Sequence, residues 1–261
     1  SGKTCTLAAI LSTAKRRGYF NPREGTGLMY MTQLSSLFND DAATLPNPSP
    51  IEVTQGLSFN LRDEQSTEHP VTLIEISGEI FECFSKVIMG QPLPEGGHQL
   101  AYDSLLRFLS SKENPKYHFF VIDVNNRRRD AYGFTQMDYL TNAALFFDTR
   151  KIFNESTAGI NILVTKSDLL ADTLEQRKSA ATQILKDRYI NFVNSLKTIA
   201  YEHNQIRSIN DTIPVIPFTL GEVYVQTKCL FDPTMSDEVI KLLQQNVART
   251  YVRRRTGWLN R

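Results

Sequence analysis

Apolar residues recur at helical spacing early in the chain, at Leu7, Ile10, Leu11 and Ala14, and Gly18 follows at a stop position. The pattern predicts a helix over 4–17. Residues 28–34 read either as a short strand or as the start of a helix running to Asn39. Pro46, Pro48 and Pro50 then punctuate a segment that cannot hold regular structure. Two strand-like runs follow, 57–62 and 71–76, and the polar stretch 63–69 between them reads as a hairpin connection. Helical patterning returns at 79–90 and 99–111, separated by the Pro- and Gly-rich loop 91–97.

The second half alternates buried strands with helices. Continuous apolar runs at 117–124 and 159–165 predict strands covered on both faces, and 212–218 predicts a third. Helices are expected at 136–153, along the long stretch 174–203, and at 236–251. Such alternation predicts an α/β fold, a mostly parallel sheet with helices on both faces. The hairpin at 57–76 would supply one antiparallel edge strand. With no linker-like tract inside it, the chain reads as a single domain over 1–261.

Composition adds little to this picture. Hydrophobic residues make up 41% and charged residues 22%, enough for a sizeable core. The net charge of +1 gives no argument for nucleic acid or membrane binding. Cys5, Cys83 and Cys229 lie far apart, without metal-ligand spacing, and read as reduced thiols of a cytoplasmic protein. No apolar run approaches the roughly 20 residues of a membrane span. The opening Ser1-Gly2-Lys3-Thr4 looks like the end of a motif, so more chain is expected upstream, and a membrane link only there.

Candidate chemistry begins with that tetrapeptide. Followed by a helix, it matches the second half of G-x-x-x-x-G-K-[ST]. Gly2, Lys3, Thr4 and Cys5 would open an anion nest of backbone N–H groups. Lys3 would reach the β- and γ-phosphates, and the Thr4 hydroxyl would hold Mg²⁺. The second signal is Thr72-Leu73-Ile74-Glu75-Ile76-Ser77-Gly78-Glu79, a strand ending in acid-x-x-Gly. In GTPases this strand end sets an acid beside the Mg²⁺ water shell and a Gly N–H at the γ-phosphate. Glu75 stands where Asp is usual. The plainer alternative makes Glu75 an exposed strand residue and Gly78 a turn.

The strongest single signal is residues 159–168, an apolar strand ending in Thr165-Lys166-Ser167-Asp168. This is a variant of the guanine-binding Asn-Lys-x-Asp box. One carboxylate, Asp168, can accept both N1–H and N2–H₂ of guanine, a match adenine does not offer. The Lys166 stem would cover a face of the site. A weaker strand end, Thr219-Leu220-Gly221, would offer a backbone N–H to the guanine O6.

In this order, the boxes resemble the GTPases of the TRAFAC class over nearly the whole chain. The resemblance implies a P-loop NTPase fold, GTP or GDP with Mg²⁺, and phosphohydrolase chemistry. Within it, residues 53–59 look like the switch I segment of ADP-ribosylation-factor-like GTPases. That match implies that Thr54 senses Mg²⁺ and γ-phosphate. About 50 residues separate Thr4 from Thr54, so 19–50 look like an insertion. The segment ahead of Thr54 is similar to bacterial GTPase-like domains of multidomain proteins. Glu79 follows the Gly where small GTPases usually carry a water-orienting Gln. The implied metal set is Thr4, Thr54 and Glu75, and the implied catalytic pair is Lys3 and Glu79.

The sharpest rival is a P-loop ATPase using Asp123, which ends the strand 119–123 and would hold the Mg²⁺ shell. A second alternative is a degenerate domain that serves as a partner-binding scaffold. The GTPase reading predicts a slow switch whose states a protein partner would read through the switch regions. Arg127–Arg129 and Arg253–Arg255 read as solvated charge, and the four histidines, His69, His98, His118 and His203, form no metal spacing.

Overall fold

The computed structural model describes residues 2–25, 27–39, 42–45, 56–94, 97–131, 133–203, 208, 211–224 and 228–259. The elements in chain order are α1 (Lys3–Arg16), β1 (Phe20–Pro22), α2 (Leu28–Leu34), β2 (Ala42–Thr44), β3 (Gly56–Arg62) and β4 (Glu68–Ile74). Then come α3 (Ile80–Ile88), α4 (His98–Ser110), β5 (Lys116–Asp123), α5 (Gln136–Thr149), β6 (Thr157–Thr165), α6 (Leu174–Arg188) and α7 (Ile190–Glu202). The last are β7 (Val215–Phe218), β8 (Gly221–Tyr224), β9 (Lys228–Phe231) and α8 (Thr234–Leu259). They form an α/β molecule of two compact units. Among the described residues, one is continuous over 76–217. The other is discontinuous and draws on residues 2–49, 55–75 and 218–261.

In the discontinuous unit the hairpin follows from period-two patterning. Leu57, Phe59 and Leu61 point inward and are buried, while Ser58, Asn60 and Arg62 alternate with them. β3 and β4 pair antiparallel from Gly56↔Ile74 to Arg62↔Glu68. Asp63 organises the turn. Its Oδ1 accepts from the backbone N–H groups of Gln65 and Thr67, at 2.9 and 2.8 Å. The Asp63 Oδ2 lies 2.8 Å from His69 Nε2. Burial pushes the Asp63 carboxyl up, but the bonds from His69, Thr67 and Gln65 outweigh it and hold it below its ordinary value.

The far edge of β3 takes β1 antiparallel, and Phe20 and Phe59 pack with ring centroids 5.0 Å apart. The hairpin therefore belongs to an antiparallel sheet β1-β3-β4, not to the edge of the parallel sheet. Residues 20–22, inside the stretch read as an insertion, supply the third strand of this sheet. A second antiparallel sheet, β2-β9-β8, was not expected. Its hairpin needs a glycine at Gly221, where φ is +100° and a Cβ would meet the Leu230 carbonyl oxygen at 2.2 Å. α8 packs on α1, tied by the Arg17–Asp237 pair at 2.7 Å. Gln244 Nε2 also donates to the Arg62 carbonyl at 2.7 Å.

The continuous unit is built on the sheet β5-β6-β7. β5 and β6 run parallel, from Lys116↔Thr157 to Asp123↔Thr165. β6 is the central strand, and its residues 160–165 are all buried, which explains its unbroken apolar run. Beneath the sheet lies an aromatic cluster in which Phe84 stacks on Phe146 at 4.4 Å, joined by Phe147, Phe153, Phe120 and Phe192. His118 packs edge-on to Phe153 at 5.1 Å within this cluster. Its Nε2 is buried and has no hydrogen-bond partner. Burial, with Lys116 nearby, pulls its pKa down to about 4.

Two helix boundaries depart from the sequence pattern. The expected 174–203 helix is broken at Tyr189, whose backbone leaves the helical region at φ −125° and ψ 22°. Tyr189 is buried and its hydroxyl donates to Gln136 Oε1 at 2.9 Å, so tertiary packing breaks the helix where periodicity continues. α5 stops at Thr149, not 153. Lys151 turns left-handed at φ 54°, and Ile152 and Phe153 fold inward as buried residues beyond the helix end. No described helix is long and apolar enough to cross a membrane.

Candidate functional site

The discontinuous unit carries the first group of predicted residues. Gly2 sits at the N-cap of α1 in the left-handed region, φ 72° and ψ 8°, and its carbonyl accepts from the Thr6 N–H at 2.9 Å. A left-handed residue feeding a helix start aims successive N–H groups the same way, which is the geometry of an anion nest. Lys3 and Thr4 open the first turn, and half-buried Cys5 follows them. Burial lowers the pKa of the Lys3 ammonium from its usual value, and the nearby Glu75 carboxylate opposes that shift.

Glu75, just past the end of β4, is 8% exposed, so the plain reading of an exposed strand residue does not hold. Thr4 Oγ1 donates to its Oε1 at 2.5 Å. The Tyr30 hydroxyl donates to its Oε2 at 3.0 Å. Two side chains, one from α1 and one from α2, thus meet on the carboxylate at the β4 end, with the Lys3 charge nearby. A hydroxyl has one donor and two acceptor lone pairs. In this bond the Thr4 hydroxyl is the donor and the Glu75 carboxylate the acceptor.

The continuous unit carries the second group. Thr165 ends β6, buried, and its Oγ1 donates to the Ile122 carbonyl at 3.1 Å. The chain then turns sharply. Lys166 is left-handed at φ 59° and ψ 37°, a conformation that costs a non-glycine residue about 1–2 kcal/mol. Its ammonium is held 2.9 Å from Asp123 Oδ2. Ser167 is fully buried and starts a short 3₁₀ turn, Ser167–Leu169, and its Oγ has no hydrogen-bond partner. Asp168 stands exposed on that turn.

Asp123, the rival metal acid, is engaged on both oxygens. Oδ2 faces Lys166, and Oδ1 accepts from the Asn125 N–H at 3.0 Å. Its own N–H donates to Gln136 Oε1, the atom that also accepts from Tyr189. Arg188 closes the strand end by donating to the Val124 and Asn126 carbonyls, at 2.9 and 3.3 Å. Gln136, Arg188 and Tyr189 carry no motif, and only their convergence in space marks them.

The remaining predicted residues are placed as follows. Gly78 and Glu79 are exposed at the entry to α3, where the Glu79 N–H lies 3.4 Å from Ser77 Oγ. Thr219 is buried, and its Oγ1 accepts from the Gly221 N–H at 3.2 Å, in the lead into the β8–β9 hairpin. Thr54 and the rest of the switch-like stretch 51–55 lie outside the described residues. Among the described residues no three His, Cys, Asp or Glu side chains gather as a metal site. Mg²⁺ in phosphate sites uses one or two carboxylates with waters and phosphate oxygens, so the Thr4–Glu75 pair fits it without such a cluster.

No family model, curated protein or solved structure matches the chain.

Proposed function

We propose that this chain binds a guanine nucleotide with Mg²⁺, on a P-loop NTPase fold, and hydrolyses it slowly as a switch read by a protein partner. The observation that carries the proposal is the Thr4–Glu75 hydrogen bond of 2.5 Å between residues 71 positions apart. A phosphate-loop Thr and an acid from a distant strand end are the pair such a site requires, and here they are joined. The bond also answers the departure from Asp. The longer Glu75 side chain reaches the Thr4 hydroxyl directly.

In this reading the N–H groups after Gly2 and the Lys3 ammonium hold the phosphates. Glu75 accepts a hydrogen bond from the Thr4 hydroxyl, and the two residues would together hold the Mg²⁺. Bound there, Mg²⁺ would neutralise charge developing on the phosphate oxygens. Asp168, exposed on its turn, accepts the two guanine N–H groups, and Lys166, fixed by Asp123, covers a face of the base. The engagement of both Asp123 oxygens supports this assignment over an ATPase using Asp123 as its metal acid.

A second reading, a scaffold that hydrolyses nothing, is favoured by Glu79. A carboxylate only accepts hydrogen bonds, whereas the usual Gln both donates and accepts when it orients water. Single-turnover phosphate release separates the two. Mg²⁺-dependent release that disappears in Lys3→Ala supports the switch, and absence of release from the parent chain supports the scaffold. Binding itself is tested by equilibrium titration with fluorescent guanine and adenine nucleotides. Guanine nucleotides are expected to bind at least about tenfold more tightly, the worth of one charge-assisted hydrogen bond. Equal binding of both, or none, overturns the proposal.

A further inference from the structure

Glu75 Oε2 is occupied by a residue that no motif marks. Tyr30 lies on α2, in the stretch between α1 and β3, and reaches Glu75 across 45 positions of sequence. Its helix is anchored on α1, the same helix that carries Thr4. Met31 and Leu34 of the same helix are buried. Ser12 of α1 donates from its Oγ to the Leu34 carbonyl at 3.1 Å and accepts from the Phe38 N–H at 3.2 Å. Lys15 of α1 adds a bond to Ser36 at 3.1 Å. Thr4 and Tyr30 are therefore held in one frame, and they present two hydroxyl donors to the two oxygens of one carboxylate.

A Glu side chain has one more torsion than Asp. Left to a single donor, its carboxylate could rotate about the Thr4 contact. A second donor on the other oxygen removes that freedom and fixes the plane of the group. We infer that Tyr30 is a positioning residue for the metal-water acid, and that its hydroxyl compensates for Glu75 standing where Asp is usual. The inference rests on the Mg²⁺–guanine-nucleotide reading above. It gives the stretch 19–50 a part in that site.

The test is the dissociation rate of a fluorescent guanosine diphosphate, measured against free Mg²⁺ in the parent chain and in Tyr30→Phe. Thr32→Ala, a change on an exposed face of α2 whose hydroxyl bonds only its own helix at Leu28, serves as the helix control. For Tyr30→Phe the Mg²⁺ midpoint is expected to rise by about five- to tenfold, with the Mg²⁺-free rate and the melting temperature unchanged, as for loss of one hydrogen bond to a charged group. In a Glu75→Asp background, where the shorter acid does not need the second donor, Tyr30→Phe should move the midpoint by less than about twofold. An unchanged midpoint in the Glu75 chain overturns the inference. So does an equal shift in both backgrounds, or a Mg²⁺-free rate that shifts as much as the midpoint, since each indicates packing alone. If the parent chain binds guanine nucleotide with no Mg²⁺ dependence, or not at all, the underlying reading fails and takes this inference with it.

Discussion

The two groups of predicted residues are built in opposite ways. In the continuous unit, Thr165, Lys166 and Asp168 fall within four successive residues, and their geometry is dictated by one left-handed residue and one strand end. In the discontinuous unit, Lys3, Thr4, Tyr30 and Glu75 come from three separate elements and meet only through tertiary packing. The first arrangement leaves its carboxylate exposed. The second buries its carboxylate and spends it on internal donors. A base reader can be a rigid local turn, because it needs only a fixed pattern of acceptors. A metal and phosphate site needs charges of both signs drawn together, and burial raises the strength of each interaction there.

If that contrast is right, the two units should respond differently to perturbation. The largest expected effect is on stability in the continuous unit. His118 has a folded pKa of about 4, below its ordinary value of 6.5, so the unfolded state binds the proton first as pH falls. Its contribution is fully present above about pH 6.5 and is lost as pH falls toward 4, about 3 kcal/mol in all. His118→Leu should flatten this part of the stability profile, measured by denaturant unfolding at pH 7 and pH 4.5. Equal pH dependence in both chains would show that His118 is not the group responsible.

Next in size is Lys3→Ala, which removes the cation from the proposed phosphate site. Nucleotide affinity is expected to fall about hundredfold, the loss of strong charge-assisted hydrogen bonds, with no change in which base is preferred. A base preference that shifted with Lys3 would contradict the separation of roles. Thr4→Ala is smaller. In Mg²⁺ it should weaken binding by about tenfold, and without Mg²⁺ it should change little. Calorimetric titration with and without a chelator checks this. The smallest effect is Asp123→Asn, which loosens a half-exposed ion pair with Lys166 and should cost only about two- to threefold in affinity. Loss of all Mg²⁺ dependence in that variant would instead make Asp123 the metal acid.

The same contrast explains what the sequence made legible. A contiguous box at the end of an apolar strand can be read as text, and Thr165 to Asp168 occupies the strand end and turn expected of it. The helix after Gly2 and the hairpin over 56–74 were also visible, because each follows a local period. Tyr30 was not, since nothing near it in sequence distinguishes a tyrosine that bonds a carboxylate from one that packs. The break at Tyr189 was hidden because α6 and α7 continue one amphipathic pattern across it. The β8–β9 hairpin was missed for a different reason. Its strands are four residues each, with Val223, Tyr224 and Leu230 exposed, so no alternation betrays a buried face. Gly221 suggested a base-contacting loop, whereas its backbone angle and the nearby Leu230 carbonyl already require glycine.

The central claim is that a guanine nucleotide is read by Asp168, and base exchange at that residue tests it most directly. Asp168→Asn replaces one acceptor with a donor that faces a guanine donor. Competition binding should show affinity for guanosine triphosphate falling about ten- to hundredfold. Affinity for xanthosine triphosphate, which carries an oxygen where guanine has its amino group, should rise in the same variant. A variant that keeps the parent chain's guanine-to-xanthine preference would contradict the account, and Thr165 to Asp168 would then be a strand end and a turn with no base to read.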